Sequence, residues 1–387
     1  MLLTSSLESE LLQTLREHPN VTLTALPSMP KSWQTSDKVL FLLTAPVKVL
    51  FQAWTLWSTL SYKTRPSQWM LVQNPPSIPT LIIVLAVCRL RNTKLVIDWH
   101  NFGYSILSMK LGSDHPLVRV SRLYELGLAR YAYCHIAVTD AMCDVLKRDF
   151  GLGNVQALHD RPAPLFQILS EAQKHKFLTS CDLTSGIVEQ ILAKKIRLVV
   201  SATSWTADED FSVLLSAMYE YSASATSDMP HLPELLVIVT GKGPLKSYYL
   251  RQIEQGERQQ KLEMVRVRTA WLSFEDYASL LGAADLGVSL HTSSSGVDLP
   301  MKVVDMFGAG LPVLGYSNFK AWSELVKEDF NGLGFANSEQ MAAKLKSLFD
   351  PTDQQLDRLR QGAVLESKRR WEAEWDPVAG KLFGLVQ

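Results

Sequence analysis

A Ser-rich loop that leads into a lysine-bearing helix is the stretch of this sequence best suited to hold an anion. Residues 285–316, DLGVSLHTSSSGVDLPMKVVDMFGAGLPVLGY, predict a strand (Leu286 to Leu290), a small polar loop, a helix (Met301 to Phe307) and a second apolar run from Leu311. In a parallel α/β sheet, the loop at the carboxyl end of a strand lies over the ligand crevice. A helix N-terminus adds unpaired N–H groups and a positive dipole end, so the sequence favours a phosphate site here.

Side chains around this loop fit a nucleotide. Lys302, in the first turn of the predicted helix, can add a point charge for a diphosphate, and Asp305, one turn later on the same side, can accept hydrogen bonds from a ribose diol. The alternative is a solvated loop before a capped surface helix, because Ser is a frequent N-cap residue. The small loop residues are Ser293, Ser294, Ser295 and Gly296.

Two other post-strand loops carry polar or flexible residues. Gly241, Lys242 and Gly243 follow the predicted strand Leu235 to Thr240, where glycine allows close backbone approach and the lysine can reach an anion. A single G-K-G is a weak signal, since such turns also occur without a ligand. A third loop follows the predicted strand from Arg197 to Ala202, and its polar residues are Ser204, Thr206, Asp208 and Glu209.

A carboxylate and an imidazole follow a strand in the first half of the chain. Asp98, His100 and Asn101 come at the end of the predicted strand Lys94 to Ile97. The carboxyl ends of strands are where α/β sites form, and either Asp98 or His100 could act as a general base. The alternative is that Asp98 caps a turn and His100 is its satisfied partner.

Composition limits the classes of protein to which this chain can belong. Its 387 residues suggest about two domains, and 47% hydrophobic content supports a sizeable core. A formal net charge of zero argues against bulk nucleic-acid binding. The four cysteines show no C-x-x-C pair and no zinc spacing, which favours a reduced, cytosol-facing protein.

The segment from Val39 to Tyr62 is apolar, but Pro46, Lys48 and Gln52 interrupt it. We predict a strand over Val39 to Thr44 and an amphipathic helix from about Pro46. Two alternatives stay open for the helix, which is either packed in the core or in contact with a membrane through its tryptophans.

Strands and helices alternate along both halves of the chain, which predicts two α/β domains. We predict domains at residues 1–165 and 196–365, a linker or insertion at 166–195, and a C-terminal helix at 366–387. The predicted helices and strands of the first half are Leu7 to Glu17 (helix), Val21 to Leu26 (strand), Trp69 to Gln73 (strand), Thr80 to Arg89 (helix), His115 to Tyr133 (helix), His135 to Thr139 (strand) and Asn154 to Leu158 (strand).

Four blocks of sequence, in this order and spacing, resemble the chitobiosyldiphosphodolichol β-mannosyltransferase family: KLVIDWHNFGYS, SATSWTADEDFSVLL, VTGKGPLKSYY and LHTSSSGVDLPMKVVDMFGAGLPV. The resemblance runs from about residue 69 to the end. It implies a GT-B fold, in which two Rossmann-like domains face each other across a cleft. It also implies an inverting enzyme on the cytosolic face of the endoplasmic reticulum membrane, which moves mannose from GDP-mannose to chitobiose on dolichyl diphosphate and forms a β1,4 linkage.

The resemblance also implies roles for particular residues. Asp98 or His100 would face the acceptor and either could be the base; we favour Asp98 as the base and His100 as a contact to the donor sugar or the acceptor. No metal or permanent cofactor is implied. Other mannosyltransferases of the dolichol pathway are candidate partners. Residues on the donor side would be Ser204, Thr206, Gly241, Lys242, Gly243, Ser293, Ser294, Ser295, Gly296, Lys302 and Asp305.

The sequence departs from the family at its start. The family begins with a membrane-anchoring helix and a first strand with a Gly-containing loop, and we expect this chain to lack both. Two alternatives therefore stay open: a non-catalytic relative that scaffolds other dolichol-pathway transferases, and a GT-B transferase that uses another nucleotide sugar.

Overall fold

A computed structural model of the protein describes residues 2–4, 17–27, 38–206 and 208–386. The chain divides into two compact units, of which the first comprises residues 1–136 and 145–155 and the second comprises residues 137–144 and 156–387. The domain bounds predicted from the sequence fall at other positions and stay predictions. The predicted helix from Leu7 to Glu17 lies outside the described residues, except for Glu17.

The first unit contains two sheets. β1 (Leu2–Thr4) and β2 (Leu23–Ala25) form a parallel pair. The second sheet has the order β3-β4-β5-β6, with strands at Trp69–Asn74, Lys94–Trp99, Cys134–Ala137 and Val155–Ala157. β1 and β2 stand apart from the four-stranded sheet, so the expectation that the family's first strand is missing stays a prediction.

Helices of the first unit differ from the prediction at two places. The segment Val39 to Thr44 is helical and not a strand, and the helix continues through Pro46. A continuous apolar run does not separate helix from strand by periodicity, and the length of this one favours a helix. A helix that we did not predict follows Phe102. The helices are α1 (Lys38–Ser58), α2 (Thr80–Arg91), α3 (Gly103–Leu111) and α4 (Pro116–Ala129), with π-helical turns at Thr59–Lys63 and Val145–Asp149.

The second unit is built on a six-stranded sheet with the order β12-β11-β10-β7-β8-β9, in which each neighbouring pair is parallel. A strand order that grows outward in both directions from β7 and β10 is typical of a doubly wound sheet. The strands are β7 (Ile196–Ala202), β8 (Glu234–Thr240), β9 (Val265–Ala270), β10 (Leu286–Ser289), β11 (Val313–Tyr316) and β12 (Gly332–Phe335).

Helices of the second unit follow the predicted alternation. The segment 166–195, which we predicted to be a linker or insertion, contains two helices and a 3₁₀ turn at Asp182–Thr184. The helices are α5 (Asp140–Asp144), α6 (Glu171–Ser180), α7 (Val188–Leu192), α8 (Phe211–Thr226), α9 (Lys246–Arg258), α10 (Phe274–Ala283), α11 (Met301–Gly308), α12 (Trp322–Leu325), α13 (Ser338–Phe349), α14 (Gln355–Glu366), α15 (Trp371–Trp375) and α16 (Lys381–Phe383), with a π-helical turn at Asp376–Gly380.

An aromatic cluster supports the loop that follows β7. Trp205 in that loop is fully buried, and its ring centroid lies 4.9 Å from that of Phe211. Phe211 in turn contacts Tyr249 of α9 at 5.2 Å. Burial of a large apolar side chain stabilises the folded state by roughly 1.5–3 kcal/mol, so this cluster holds the loop after β7 against α8 and α9.

No helix within the described part of the chain is both long enough and apolar enough to cross a lipid bilayer.

Candidate active site

Three loops meet at the carboxyl edge of the six-stranded sheet, because the strands that precede them are neighbours in the order β10-β7-β8. The loop after β10 bonds to the loop after β7 through Thr292, whose backbone N–H donates to the carbonyl of Asp208 at 3.2 Å and whose hydroxyl donates to the same oxygen. The loop after β8 bonds to the loop after β7 through Leu245 N–H and the carbonyl of Trp205, at 3.0 Å. The predicted donor residues are therefore brought together at one edge of this sheet.

The two glycines of the G-K-G turn are required by the neighbouring loop. A Cβ on Gly241 would lie 1.8 Å from the carbonyl oxygen of Thr203, and one on Gly243 would lie 1.7 Å from that of Ser204. Gly241 also has a φ of +132°, which favours glycine. The close approach that we predicted toward a phosphate is thus made first to the protein's own backbone.

The lysine between these glycines contacts an aromatic ring. Lys242 Nζ lies 4.0 Å from the centroid of Trp271, which follows β9 and is largely exposed. A cation over an indole face gains about 0.5–1 kcal/mol when exposed to solvent, so an incoming anion can still recruit Lys242.

Lys302 lies in the first turn of α11, as predicted, and its Nζ forms a close ion pair with Glu209 Oε1. The Glu209 side chain is only 6% exposed. Its other oxygen accepts hydrogen bonds from the hydroxyl of Thr203, at 2.9 Å, and from the backbone N–H of Ser204. Glu209 thereby connects α11 to the loop after β7, and a ligand anion must compete with it for Lys302.

A second buried carboxylate organises the Ser-rich loop. Asp298 accepts hydrogen bonds from the hydroxyls of Ser293 and Ser295, the latter at 3.2 Å, and its Oδ2 lies 3.0 Å from His291 Nε2. On the other side of the loop, Thr139 donates to the carbonyl of Val297 at 2.5 Å. Because these two serine hydroxyls face Asp298, the loop has its backbone to offer to a phosphate.

Other predicted donor residues lie in the same loops. Ser204 is exposed, and Thr206 is half-buried, with its carbonyl accepting from Glu209 N–H at 3.1 Å. Gly296 has a φ of +76° and open space where a Cβ would be, and its carbonyl accepts from Lys320 N–H at 2.9 Å. Ser294 is half-buried between the two serines that bond to Asp298.

Asp305 is in a different electrostatic position from these paired carboxylates. Burial raises the pKa of Asp305 to about 7. Burial, with a smaller contribution from the Asp305 charge, also raises the pKa of Tyr277 on α10. The Tyr277 hydroxyl is buried without a hydrogen-bond partner in the described part of the protein. Burial therefore favours the neutral form of Asp305 relative to an exposed aspartate.

In the first unit, the structure brings Asp98 and His100 together as predicted. Asp98 is the penultimate residue of β4, and its Oδ2 lies 3.1 Å from His100 Nε2. The side chains are 23% and 31% exposed, respectively. A carboxylate that touches an imidazole and keeps some exposure has the composition of a general acid–base pair.

A buried glutamate, Glu125, is connected to this pair through Asn74. His100 N–H donates to the carbonyl of Asn74 at 3.0 Å, and Asn74 Nδ2 donates to Glu125 Oε1 at 2.6 Å. Glu125 is fully buried and also accepts from the N–H groups of Gly103 and Tyr104, at 2.9 and 3.1 Å. Glu125 therefore caps the N-terminus of α3 and fixes the chain just after His100.

Sequence reasoning assigned no role to Glu209, Asp298 or Glu125, although each of them shapes the site. A signal was present for two of them. Asp298 stands between the apolar Val297 and Leu299, and Glu125 falls on the apolar side of α4. A lone acid on a face that the fold must bury has to find hydrogen-bond donors.

One further group of ligand-type atoms lies in the second unit. Oxygen and nitrogen atoms of Asp140, His159 and Glu324 lie within 4.8 Å of one another, the single such group among the described residues. Glu324 already accepts from the backbone N–H groups of Asp140 and Ala141, at 2.6 and 2.7 Å. These bonds account for the cluster without an ion, and the absence of a metal stays a prediction.

His159 is surrounded by acids. Its hydrogen bond to Glu324 raises the pKa of His159 against the opposing effect of burial, and the charges of Glu374 and Asp140 add to the increase. Burial would raise the pKa of Glu374, but the hydrogen bond and charge of Arg161 keep it below its ordinary range. These charges tie residues 159–161 to α12 and α15.

Curated relatives match nearly the whole chain, although no family model does. The chain is 52% identical over 377 residues to the chitobiosyldiphosphodolichol β-mannosyltransferase of Arthroderma benhamiae, covering 97% of this chain and 84% of the relative. It is 43% identical over 352 residues to the enzyme of that name from Yarrowia lipolytica, covering 90% and 73%. The human enzyme of that name is 40% identical over 359 residues, covering 85% and 75%.

Solved structures with low sequence identity share the fold. Anabaena Alr3699/HepE in complex with UDP and glucose has a TM-score of 0.66 at 16% identity, covering 98% of this chain and 90% of that chain. Sucrose-phosphate synthase from Thermosynechococcus elongatus has a TM-score of 0.66 at 13% identity, covering 95% and 83%. These neighbours are GT-B glycosyltransferases, which confirms the predicted fold class.

Proposed function

The chain belongs to the chitobiosyldiphosphodolichol β-mannosyltransferase family, and from this premise we propose that it transfers mannose from GDP-mannose to chitobiose on dolichyl diphosphate. The observation that carries the proposal is the sequence identity with the curated enzymes, which extends over both compact units. The residues with chemical roles in the proposal lie at the carboxyl edges of the four-stranded and the six-stranded sheets, or on the helix that follows β10.

The second unit holds the donor in this proposal. Backbone N–H groups of the Ser-rich loop and the N-terminus of α11 receive the diphosphate, and Asp298 keeps the loop in shape. Lys302 turns from Glu209 to the diphosphate as the donor arrives, and Lys242 leaves the Trp271 ring for the same anion. Two lysines and a helix dipole stabilise the charge that develops on the departing GDP.

The first unit supplies the base. In a β-mannosyl transfer from an α-linked donor, the acceptor hydroxyl attacks the anomeric carbon opposite the diphosphate, so one proton must leave that hydroxyl in the same step. Asp98 takes this proton, and His100 orients Asp98 and contacts a sugar. General-base catalysis of this kind contributes about 10²–10⁴-fold.

The proposal has two further parts. The nucleobase of the donor is guanine, and the enzyme works on the cytosolic face of the endoplasmic reticulum membrane. The homologues' name supports a lipid-linked chitobiose acceptor. A dolichyl chain stays in the bilayer, so an enzyme that serves it works at the membrane surface. Other dolichol-pathway mannosyltransferases are proposed as neighbours there.

The test uses purified full-length chain, GDP-mannose and a phytanyl-diphosphate chitobiose acceptor in detergent. The expected product carries one added hexose by mass spectrometry, and β-mannosidase but not α-mannosidase removes it. Matched reactions with UDP-glucose and UDP-N-acetylglucosamine are expected to give no product. Transfer from a UDP sugar at an equal rate would overturn the choice of donor.

Binding is tested separately from turnover. GDP is expected to raise the melting temperature of the protein at a concentration where UDP and ADP do not, because a ligand stabilises the state that binds it. A protein that GDP does not stabilise and that transfers no mannose would refute the proposed function.

A further inference from the structure

Several helices of the first unit expose large apolar side chains. On α1, Leu50 is 69% and Trp54 is 66% exposed; on α2, Leu90 is 73% exposed; on α4, Leu123 is 72% exposed. Single exposed apolar residues are normal in globular proteins, but a contiguous patch marks a binding surface. Whether these residues mark a binding surface therefore depends on whether they lie near one another, and not on how many there are.

α4 carries two apolar faces. Its inner face is buried through Val118, Glu125 and Ala129. Its outer face presents Leu117, Val120, Leu123, Tyr124 and Gly127, whose spacing of three and four residues puts them on one stripe. A surface helix of a globular protein has a polar outer face, whereas α4 exposes this apolar stripe with only basic residues beside it, Arg119, Arg122 and, at the C-cap, Arg130.

The three helices that carry these exposed residues pack on one another in a row. α1 packs on α2, and α2 packs on α4. The Tyr124 hydroxyl donates to the carbonyl of Pro79 at 3.3 Å and accepts from Ile82 N–H at 3.2 Å, which connects α4 to α2. Arg91 of α2 donates to the carbonyl of Ser61 at 2.8 Å, which connects α2 to the end of α1.

A groove lies between α2 and the end of α4. Its volume is about 680 Å³, and its lining is mainly apolar. The lining includes Ile82, Leu85 and Ala86 from α2, Leu128 from α4, and Tyr131. We call the surface made by Leu50, Trp54, Leu90, Leu123 and Tyr131, together with this groove, the outer helical face.

The charge of this region is strongly one-sided. Residues 44–133 contain ten Lys and Arg residues and three Asp and Glu residues, in a chain whose net charge is zero. Of the three acids, Glu125 is buried, Asp98 pairs with His100, and Asp114 is exposed beside Arg119 at 4.0 Å. The part of the chain that carries the outer helical face therefore has a strong excess of cations over acids.

We propose that the outer helical face docks on a lipid bilayer that carries anionic phospholipid headgroups. Exposed Trp, Tyr and Leu with flanking arginines are the residues that interfacial helices use, since the apolar side chains enter the acyl boundary and the cations meet the headgroups. A second copy of the chain is a poorer occupant, because self-association would bring two basic surfaces together. The inference deepens the proposed function, which needs a membrane-bound acceptor, but it rests on exposure and charge alone.

The test is vesicle flotation with the full chain and no nucleotide sugar. Vesicles of phosphatidylcholine with 30% phosphatidylserine are compared with phosphatidylcholine alone. The expected result is binding to the anionic vesicles that weakens as salt rises. Arg119→Ser and Arg130→Ser, both at exposed positions, are expected to weaken binding by about five-fold each, the effect of one basic residue near an anionic surface.

Apolar contacts are tested with Trp54→Glu and Leu123→Glu, which are expected to abolish flotation. The matched control is Leu365→Glu, since Leu365 is 52% exposed on α14 of the second unit; this variant is expected to float like the parent. All three variants are expected to keep full mannosyl transfer to the phytanyl acceptor in detergent, which shows that they fold.

Three outcomes would overturn the inference. The parent chain does not float with anionic vesicles, or Leu123→Glu floats as the parent does, or sedimentation shows a dimer that Leu123→Glu dissociates. The two proposals fail separately: flotation without mannosyl transfer refutes the proposed function alone, and transfer in detergent without flotation refutes the docking face alone.

Discussion

The carboxyl edges of the two larger sheets hold their carboxylates in two different ways. At the edge of the four-stranded sheet, Asp98 touches His100 and remains 23% exposed. At the edge of the six-stranded sheet, Glu209 and Asp298 are almost fully buried, and each has three partners within the protein. The edge of the four-stranded sheet has a carboxylate that solvent can reach. At the edge of the six-stranded sheet, the carboxylates bind the loops to one another.

The difference separates chemistry from binding. A carboxylate with one imidazole partner and access to solvent can accept a proton during a reaction. A carboxylate whose oxygens accept three contacts from its own loops is occupied as part of the structure. We therefore expect changes at Asp98 to affect the rate of the chemical step, and changes around Glu209 and Asp298 to affect donor binding and stability.

The largest expected effect is that of Asp98→Asn, which keeps the shape of the side chain and removes its basicity. We expect kcat for mannosyl transfer to fall about 10³-fold, within the range of general-base catalysis. The affinity for GDP, measured by calorimetry, is expected to stay within about two-fold because the donor loops lie in the other unit.

His100→Gln is the companion variant. It leaves the carboxylate in place and is expected to reduce kcat less than Asp98→Asn does. If His100→Gln is the more damaging change, then the imidazole is the base, and the assignment of roles within the pair must be exchanged. An unchanged kcat in both variants would remove the pair from the mechanism.

The alternation of strands and helices was predictable from the sequence because buried parallel strands are short apolar runs and their helices are amphipathic. The loops at the strand ends were predictable for the same reason, so Lys302, Gly241 and Asp98 were found at the right edges. The helical state of Val39 to Thr44 was missed, since an apolar run has no period that distinguishes helix from strand and only its length favours a helix.

The contacts that the site residues make with one another could not be predicted from the sequence. Nothing in the spacing of Glu209 and Lys302, which are 93 residues apart, shows that they form an ion pair. The sequence assigned the backbone of Ser293 to Gly296 to a ligand, but it did not show that the hydroxyls of Ser293 and Ser295 bind Asp298. Such contacts depend on the order of the strands in the sheet, and local pattern does not encode that order.

The second prediction tests the binding edge through Lys302→Met. We expect kcat/KM for GDP-mannose to fall about 10²-fold, because a preorganised cation near a leaving diphosphate is worth about 2.7–4 kcal/mol when removed. The Glu209→Gln/Lys302→Met double variant is expected to lose much less than the sum of the two single losses, since both residues belong to one contact.

Lys346→Met is the matched control for Lys302→Met. Lys346 forms an ion pair with Glu220 at 2.8 Å elsewhere in the second unit. Its removal is expected to leave kcat/KM unchanged. If Lys346→Met and Lys302→Met reduce activity and melting temperature in parallel, the contribution of Lys302 is to stability and not to the donor.

The third prediction concerns the packing of loops at the binding edge. Gly243→Ala would place a Cβ 1.7 Å from the carbonyl oxygen of Ser204, which is backbone and cannot move aside cheaply. We expect the free energy of unfolding to fall by about 3 kcal/mol, as for other steric insertions into packed regions. Gly153→Ala is the control, because no atom lies within 4 Å of its Cβ position. Equal stability of the two variants in denaturant unfolding would contradict the close approach.

The smallest expected effect separates Asp305 from the other carboxylates of the binding edge. Burial raises the pKa of Asp305 to about 7. Below about pH 4, Asp305 is protonated in both the folded and the unfolded states. Between pH 4 and pH 7 the unfolded chain releases this proton while the folded state retains it, so the stability that Asp305 contributes declines as pH rises through this window.

Asp305→Asn removes that titration. We expect the variant to match the parent at pH 4 and to exceed its stability by about 1–2 kcal/mol at pH 8, a part of what a shift of this size allows. In thermal melts this corresponds to about 3–6 °C. Glu263→Gln, at an exposed position of the same unit, is the control and is expected to show no such pH-dependent gain. A variant that loses stability at pH 8 would mean that the folded protein favours the charged form of Asp305, and Asp305 would then belong with Glu209 and Asp298 as a carboxylate that holds the loops.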